Sequence, residues 1–305
     1  MEPHWLVADV GGTNTRVGLA GPDGVQATTV RRYRNENYDS FTAVAQDYLR
    51  DHDVPSAMAV AIAGPVTSHT AHLTNRDWDF DTQHLGRDLT VSNVFLLNDL
   101  AALGHALPIL PFSAMTSLTD DARADGQQAL IVGLGTGFNV SLVHLRTEEV
   151  FEAELGHASL PYSVVRVLTP HVADVDVFQT VEHLFSGQGL RRLDESLGGG
   201  GRKPEEIVLR ADPVSAKTMD LMASALAVFV REIVYQYMPR AGLYFNGSLA
   251  RTMLGPDYRE TVLSVLRADT RFAGRFASVP VFTLTEDAAA LHGCARYLAH
   301  QVPAR

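Results

Sequence analysis

Apolar residues in this chain come in short runs punctuated by glycine, and the period of the runs alternates between that of strands and that of helices. Trp5–Val10, Thr15–Ala20 and Gln26–Arg32 read as three antiparallel strands, separated by turn chemistry at Gly11-Gly12-Thr13-Asn14 and at Gly21-Pro22-Asp23-Gly24. Ser40 is placed to cap a helix over 41–52, where Phe41, Val44, Ala45, Tyr48 and Leu49 keep helical spacing. Ala57–Ile62 is a nearly continuous run of small apolar residues, suited to a central strand covered on both faces, and it stops at Ala63-Gly64-Pro65. A short strand over Thr70–Leu73 precedes the polar stretch Thr74-Asn75-Arg76-Asp77-Trp78. Val94–Leu97 is another buried strand, with Asn98-Asp99 standing where it stops and a helix over Leu100–Leu107 begins.

Past Pro108 and Pro111 the texture changes to a polar stretch over 113–128 that suits a domain junction. The opening pattern then returns: Ala129–Gly133 as a strand, Leu134-Gly135-Thr136-Gly137 as a glycine turn, and Phe138–Leu145 as the returning strand. Pro213–Tyr237 reads as a long apolar core helix, Gly242–Phe245 as a strand leading into Asn246-Gly247-Ser248, Pro280–Leu284 as the last strand and Asp287–Leu298 as the last helix. Gly198–Gly201 reads as a flexible loop with no visible chemistry.

Composition narrows the class. A chain of 305 residues exceeds the usual size of one core, so two domains are expected. The formal net charge of -10, with no basic stripe, speaks against a nucleic-acid surface. A single cysteine, Cys294, excludes a disulfide framework and a cysteine zinc cluster, and its apolar surroundings suit a buried inert thiol. With neither a signal peptide nor an unbroken apolar run long enough for a span, a cytoplasmic protein without a membrane partner is expected.

Two glycine-threonine corners carry the candidate chemistry. Glycines let backbone N–H groups approach a phosphate with no Cβ in the way, and a carboxylate just ahead of such a corner, Asp9, makes sense as the holder of a Mg2+ through water. An ordinary hairpin with a polar tip is the other reading. Asn98-Asp99 stands at a strand's carboxyl end, where ligands of open α/β sheets bind, and equally at the N-cap of a helix. Glu154 and His157 flank a glycine loop that fits either a site or a surface pair, and Glu182 precedes a Ser-Gly-x-Gly turn. Neither a dinucleotide fingerprint nor a Walker loop occurs.

In order, LVADVGGTNTR, AIAGP, LTNRDW, LLNDLAALGHALP, GLGTGF, AELGH and VEHLFSGQGL resemble the motifs of bacterial glucokinases, in the hexokinase branch of the actin-like ATPase fold. The resemblance implies two α/β domains of the actin-like ATPase, ribonuclease H-like type with a central cleft, a small one over 1–108 plus 287–305 and a large one over 109–286. It further implies an ATP- and Mg2+-dependent kinase that phosphorylates glucose at its 6-hydroxyl, working as a homodimer. Asp99 would be the general base. Asn75, Asn98, Asp99, Glu154, His157 and Glu182 would bind the sugar. Asp9, Gly11, Gly12, Thr13, Asn14, Gly135, Thr136, Gly137, Asn246 and Gly247 would bind the nucleotide, with Asp9 toward the metal. A kinase for mannose or an amino sugar, or a non-catalytic sugar sensor, are the alternatives. Phe138, Asn139 and Asn246 stand where the family turns are nearly bare, so a narrower or more polar nucleotide pocket with weaker ATP affinity is expected.

Overall fold

A computed structural model describes residues 4–119 and 124–302, which divide into two compact units. The first comprises 1–111, 148–150 and 286–305; the second comprises 112–147 and 151–285.

The first unit begins with β1 (Trp5–Val10) and β2 (Asn14–Gly21), paired antiparallel so that Asp9 faces Arg16. β3 (Gly24–Val25) and β4 (Arg31–Arg34) follow, split by a single 3-10 turn at Ala27–Thr29. The continuous third strand expected over 26–32 is therefore absent. The Thr29 hydroxyl accepts the Leu19 N–H at 2.9 Å, supplying from a side chain the bond that a strand would have supplied from its backbone. Ser40 caps α1 (Phe41–Leu49) by accepting from Ala43 N. β5 (Ala57–Ile62) is buried along its whole length, and β6 (Thr70–His72) pairs with β7 (Asp79–Asp81). Next come α2 (Thr82–Leu89), capped by Asp81, then β8 (Asn93–Asn98) and α3 (Asp99–Ala106). The sheet runs β3-β2-β1-β5-β8, with β1, β5 and β8 parallel, so the carboxyl ends of these three strands form one edge.

The second unit holds β9 (Met115–Ser117), β10 (Gln128–Leu134), β11 (Phe138–His144) and β12 (Glu149–Glu152), whose first residues group with the first unit. Short helices α4 (Tyr162–Leu168), α5 (Val181–Leu184), α6 (Gly187–Ser196) and α7 (Pro204–Val208) lead to α8 (Pro213–Tyr237). By length and composition α8 would suffice to cross a membrane, yet Met219, Met222, Leu226, Phe229, Val230 and Ile233 are buried in this unit's own core. β13 (Gly242–Asn246), α9 (Ser248–Met253), α10 (Arg259–Arg267) and β14 (Val281–Leu284) complete the order β12-β11-β10-β13-β14-β9. The chain then returns to the first unit as α11 (Ala289–Gln301), which packs on α3, β1 and β5.

Candidate active site

The carboxyl edge of the first unit gathers three candidate segments. In register, Val10, Ile62 and Asn98 are lateral neighbours, so the turn after β1, Ala63-Gly64 after β5 and Asp99 after β8 lie along roughly 10 Å of sheet edge. The first corner is closed by Gly11 N donating to Asn14 O at 3.0 Å. Beneath it lies Asn35, fully buried, whose Nδ2 donates to Gly11 O at 2.7 Å while its Oδ1 accepts the Thr15 hydroxyl at 2.8 Å. Its backbone N–H also donates to Thr13 O at 3.0 Å. Asn75 lies against the same corner, since a Cβ on Gly12 would stand 3.1 Å from the Asn75 Cβ. Thr13 is exposed, and the Asn14 side chain accepts from Arg32 Nε.

Asp9 faces a guanidinium. Arg16 Nη1 lies 3.3 Å from its carboxylate and Arg16 Nη2 lies 3.4 Å from Asp287, so two carboxylates share one cation. Burial pushes the Asp9 carboxyl above its ordinary range; Arg16 opposes this and Asp287 adds to it. Oxygen donors carrying one negative charge in excess fit a hard divalent cation, and with Arg16 in contact on one side a water-mediated seat suits it best.

Asn98 and Asp99 satisfy the capping reading without excluding the other. Asn98 Oδ1 and Asp99 Oδ1 both accept the Leu100 N–H, at 3.0 and 2.9 Å, and Asn98 Nδ2 donates to Gly64 O at 3.3 Å. Both residues are half-buried. Gly64 admits no side chain, because a Cβ there would stand 2.1 Å from His72 O.

In the second unit the second corner is closed by Gly135 N donating to Gly137 O at 3.0 Å, while Gly187 N donates to Gly135 O at 2.8 Å. Glu182 braces it from the side: its Oε2 accepts Phe138 N at 2.8 Å and would lie 2.5 Å from a Cβ on Gly137. The loop bearing Glu154 and His157 lies over the same spot, since a Cβ on Gly156 would meet Phe138 O at 2.2 Å and Glu182 Cβ at 3.5 Å. Glu154 accepts from Asn139 Nδ2 at 3.1 Å, and His157 is exposed. The three sugar candidates of this unit thus share one patch.

A cavity of about 510 Å3 opens beside this corner, floored by Gly135, Thr136 and Gly187 and walled by Gln188, Pro204, Glu205, Val208, Ser248 and Thr252. Gly247 lets the strand-to-helix turn approach, with φ at +112 and a Cβ position only 2.4 Å from Leu134 O. Asn246 pairs with Gly133 at the end of β13 and is outside the cavity wall. The narrowing expected from Phe138 and Asn139 does not occur. The Phe138 ring lies 5.4 Å from that of Phe229 inside the core, and Asn139 turns toward the loop bearing Glu154 and His157, where its Oδ1 accepts Leu155 N at 3.1 Å. Their alternation along β11 sends the two side chains to opposite faces, neither of them the cavity.

The cavity wall escaped the sequence. Gln188 stands in the VEHLFSGQGL motif, of which Glu182 alone reads as a ligand, and α7 follows the glycine run read as chemically silent. That run covers a buried ion pair: Arg202 donates to both oxygens of fully buried Asp194, at 2.8 and 3.0 Å, and a Cβ on Gly199 would stand 1.9 Å from Asp194 Oδ2. Arg202 also pairs with Asp212, the cap of α8.

Solved structures share this architecture from end to end. A glucokinase from an Antarctic psychrotroph is 22% identical with a TM-score of 0.81, covering 98% of this chain and 100% of that one. A ROK family glucokinase from Streptomyces griseus, solved in complex with glucose and AMPPNP, is 16% identical with a TM-score of 0.63 over 98% and 99% of the two chains. The fold is therefore the actin-like ATPase fold as sugar kinases use it. Residues 6–301 match the glucokinase family, and the chain belongs to that family. Among curated relatives, the glucokinase of Cupriavidus metallidurans is 27% identical over 98% of this chain and 94% of its own length. The bifunctional protein glk of Burkholderia lata is 28% identical over 98% of this chain, which spans only 49% of that protein.

Proposed function

We propose that this chain transfers the γ-phosphoryl group of ATP to the 6-hydroxyl of glucose. The observation that carries the reading is the first unit's sheet edge, where the glycine corner with its carboxylate Asp9 and the helix-capping Asp99 stand at the ends of neighbouring parallel strands. Asp99 takes the proton of the 6-hydroxyl as that oxygen bonds to the γ-phosphorus, the bond to the bridging oxygen breaks, and ADP and glucose 6-phosphate leave. Asn75 and Asn98, with Glu154, His157 and Glu182, bind the sugar hydroxyls. The corners at Gly11-Gly12-Thr13-Asn14 and Gly135-Thr136-Gly137 offer backbone N–H groups to phosphates, and the cavity beside the second corner receives the nucleoside. Asp9 and Asp287 would hold Mg2+, which when bound neutralises phosphate charge. The enzyme is proposed to act in the cytoplasm as a homodimer.

A coupled assay over hexoses and nucleotide donors with Mg2+ tests this. Glucose with ATP should turn over fastest, and Asp99→Asn should lower kcat by about 10²–10⁴-fold while calorimetry still detects glucose binding. Absence of product across the whole panel would overturn the reading.

A further inference from the structure

We infer that Gly293 and Tyr297, on one face of α11, set the position of Asp99 and act as positioning residues for phosphoryl transfer; this rests on Asp99 being the base. α3 starts at Asp99 and runs against α11 at a spacing that no side chain at 293 would permit. A Cβ on Gly293 would stand 1.7 Å from Ala102 O, 2.6 Å from Ala102 C and 3.1 Å from Ala106 N. Every one of those atoms is α3 backbone, which cannot swing away as a flexible side chain would. A glycine in mid-helix is unfavourable relative to alanine, so the chain tolerates a local cost to bring the two helices this close.

One turn further along α11, the Tyr297 ring meets His105 of α3 edge-on at 5.1 Å and Phe95 of β8 at 5.6 Å. Gly293 therefore sets how closely α3 approaches from Ala102 to Ala106, and Tyr297 adds a contact through His105. Ala102 lies one turn from Asp99 in the same rigid helix, so a displacement at Ala102 passes to the carboxylate nearly undiminished. Asn98 belongs to β8 and is held twice, its Nδ2 donating to Gly64 O at 3.3 Å and its Oδ1 accepting the α3 Leu100 N–H at 3.0 Å; the first hold does not run through α3, so the sugar ligand shifts less than the base does. On the neighbouring face α11 meets β1, where the Cys294 thiol donates to Ala8 O at 3.7 Å, next to Asp9. α11 is thus the strut that sets the base helix relative to the strand of the first corner.

Relieving the Gly293→Ala clash requires α3 to retreat by more than an ångström, and a misplacement of about 1 Å at a reacting group costs on the order of 10²-fold in rate. The test compares Gly293→Ala, Tyr297→Ala, Tyr297→Phe and Asp99→Asn for kcat, for glucose affinity by calorimetry, and for binding stoichiometry as the measure of folded protein. Gly293→Ala is expected to lose about 10²-fold in kcat with a much smaller fall in glucose affinity and unchanged stoichiometry. Tyr297→Ala should lose activity in the same split, and Tyr297→Phe, which keeps the ring, should recover it. A Gly293→Ala protein of full stoichiometry and wild-type kcat overturns the inference, as does a loss of kcat that only follows a fall in stoichiometry. If Gly293→Ala does not fold, Tyr297→Ala decides: wild-type kcat overturns the inference, and a selective loss restored by Tyr297→Phe supports it. Wild-type turnover by Asp99→Asn overturns the base assignment and this role together, whereas an inactive Asp99→Asn beside a fully active Gly293→Ala overturns the positioning role alone.

Discussion

Replacing Asn35 by alanine isolates the support of the first glycine corner, proposed to take phosphate, from the corner itself. The side chain touches no proposed ligand position. It is fully buried, donates to Gly11 O at 2.7 Å and accepts from the equally buried Thr15 hydroxyl at 2.8 Å. Its removal orphans one buried donor, the Thr15 hydroxyl, at about 1–3 kcal/mol, and one partly buried acceptor, Gly11 O, at about 1 kcal/mol, so a loss of about 2–4 kcal/mol in stability is expected. Thr15→Val in the same chain removes the orphaned hydroxyl at nearly constant volume and should restore much of that stability. It cannot restore the bond to Gly11 O. The double variant should therefore melt between Asn35→Ala and the wild type yet keep a raised KM for Mg-ATP, with glucose affinity unchanged. Thermal unfolding and steady-state kinetics of the single and double variants provide the assay. If Asn35→Ala left the KM for Mg-ATP at its wild-type value, or if Thr15→Val restored KM together with stability, the corner would not depend on Asn35 for its shape.

Other outcomes follow from the same contacts. Arg202→Ala leaves the Asp194 carboxylate fully buried with the Thr218 hydroxyl as its side-chain partner, which should cost about 3 kcal/mol and, by loosening the approach to α7, raise the KM for ATP; an unchanged melting point would refute this. Asn139→Ala should weaken glucose binding and leave the KM for ATP alone, because Asn139 holds Glu154 and Leu155; the reverse pattern in calorimetry and kinetics would return Asn139 to the nucleotide pocket. Burial, reinforced by the charge of His300 and opposed by Glu148, lowers the His105 pKa from 6.5 to about 4. The unfolded chain then binds the proton more readily, so stability is full above about pH 6.5 and falls as pH drops toward 4. His105→Phe should flatten the dependence of melting temperature on pH across that interval, and an unaltered slope would rule His105 out as its source.

The local code of this chain was legible where one segment makes its own case. Ser40 and Pro213 opened their helices as read, Ala57–Ile62 forms the fully buried strand, and Cys294 is a buried thiol whose burial pushes its pKa well up. Both glycine corners stand between the expected strands. α2 was not legible, because only Leu85 and Leu89 of its residues are buried and two apolar positions do not make a periodic stripe. Asn35 was not legible for a different reason. Its role is defined by Gly11 and Thr15, some twenty residues back, and nothing in Arg34-Asn35-Glu36-Asn37 distinguishes a buried strut from a loop asparagine.

Glycine shows where that limit lies. Gly12 and Gly135 lie at the corners proposed to take phosphate, while Gly156, Gly199 and Gly293 clear space for Phe138 O, for Asp194 and for the backbone of α3. In the sequence all five look alike, since what each must avoid is a distant part of the chain. The same reasoning explains Phe138. Measured against a bare family turn it looks like bulk added to a pocket, but strand alternation commits its side chain to the core, where Phe229 receives it and Phe185 stacks on Phe229 at 4.7 Å. Phe138 therefore supports the second glycine corner from beneath, and the cavity is lined by α6, α7 and α9 instead.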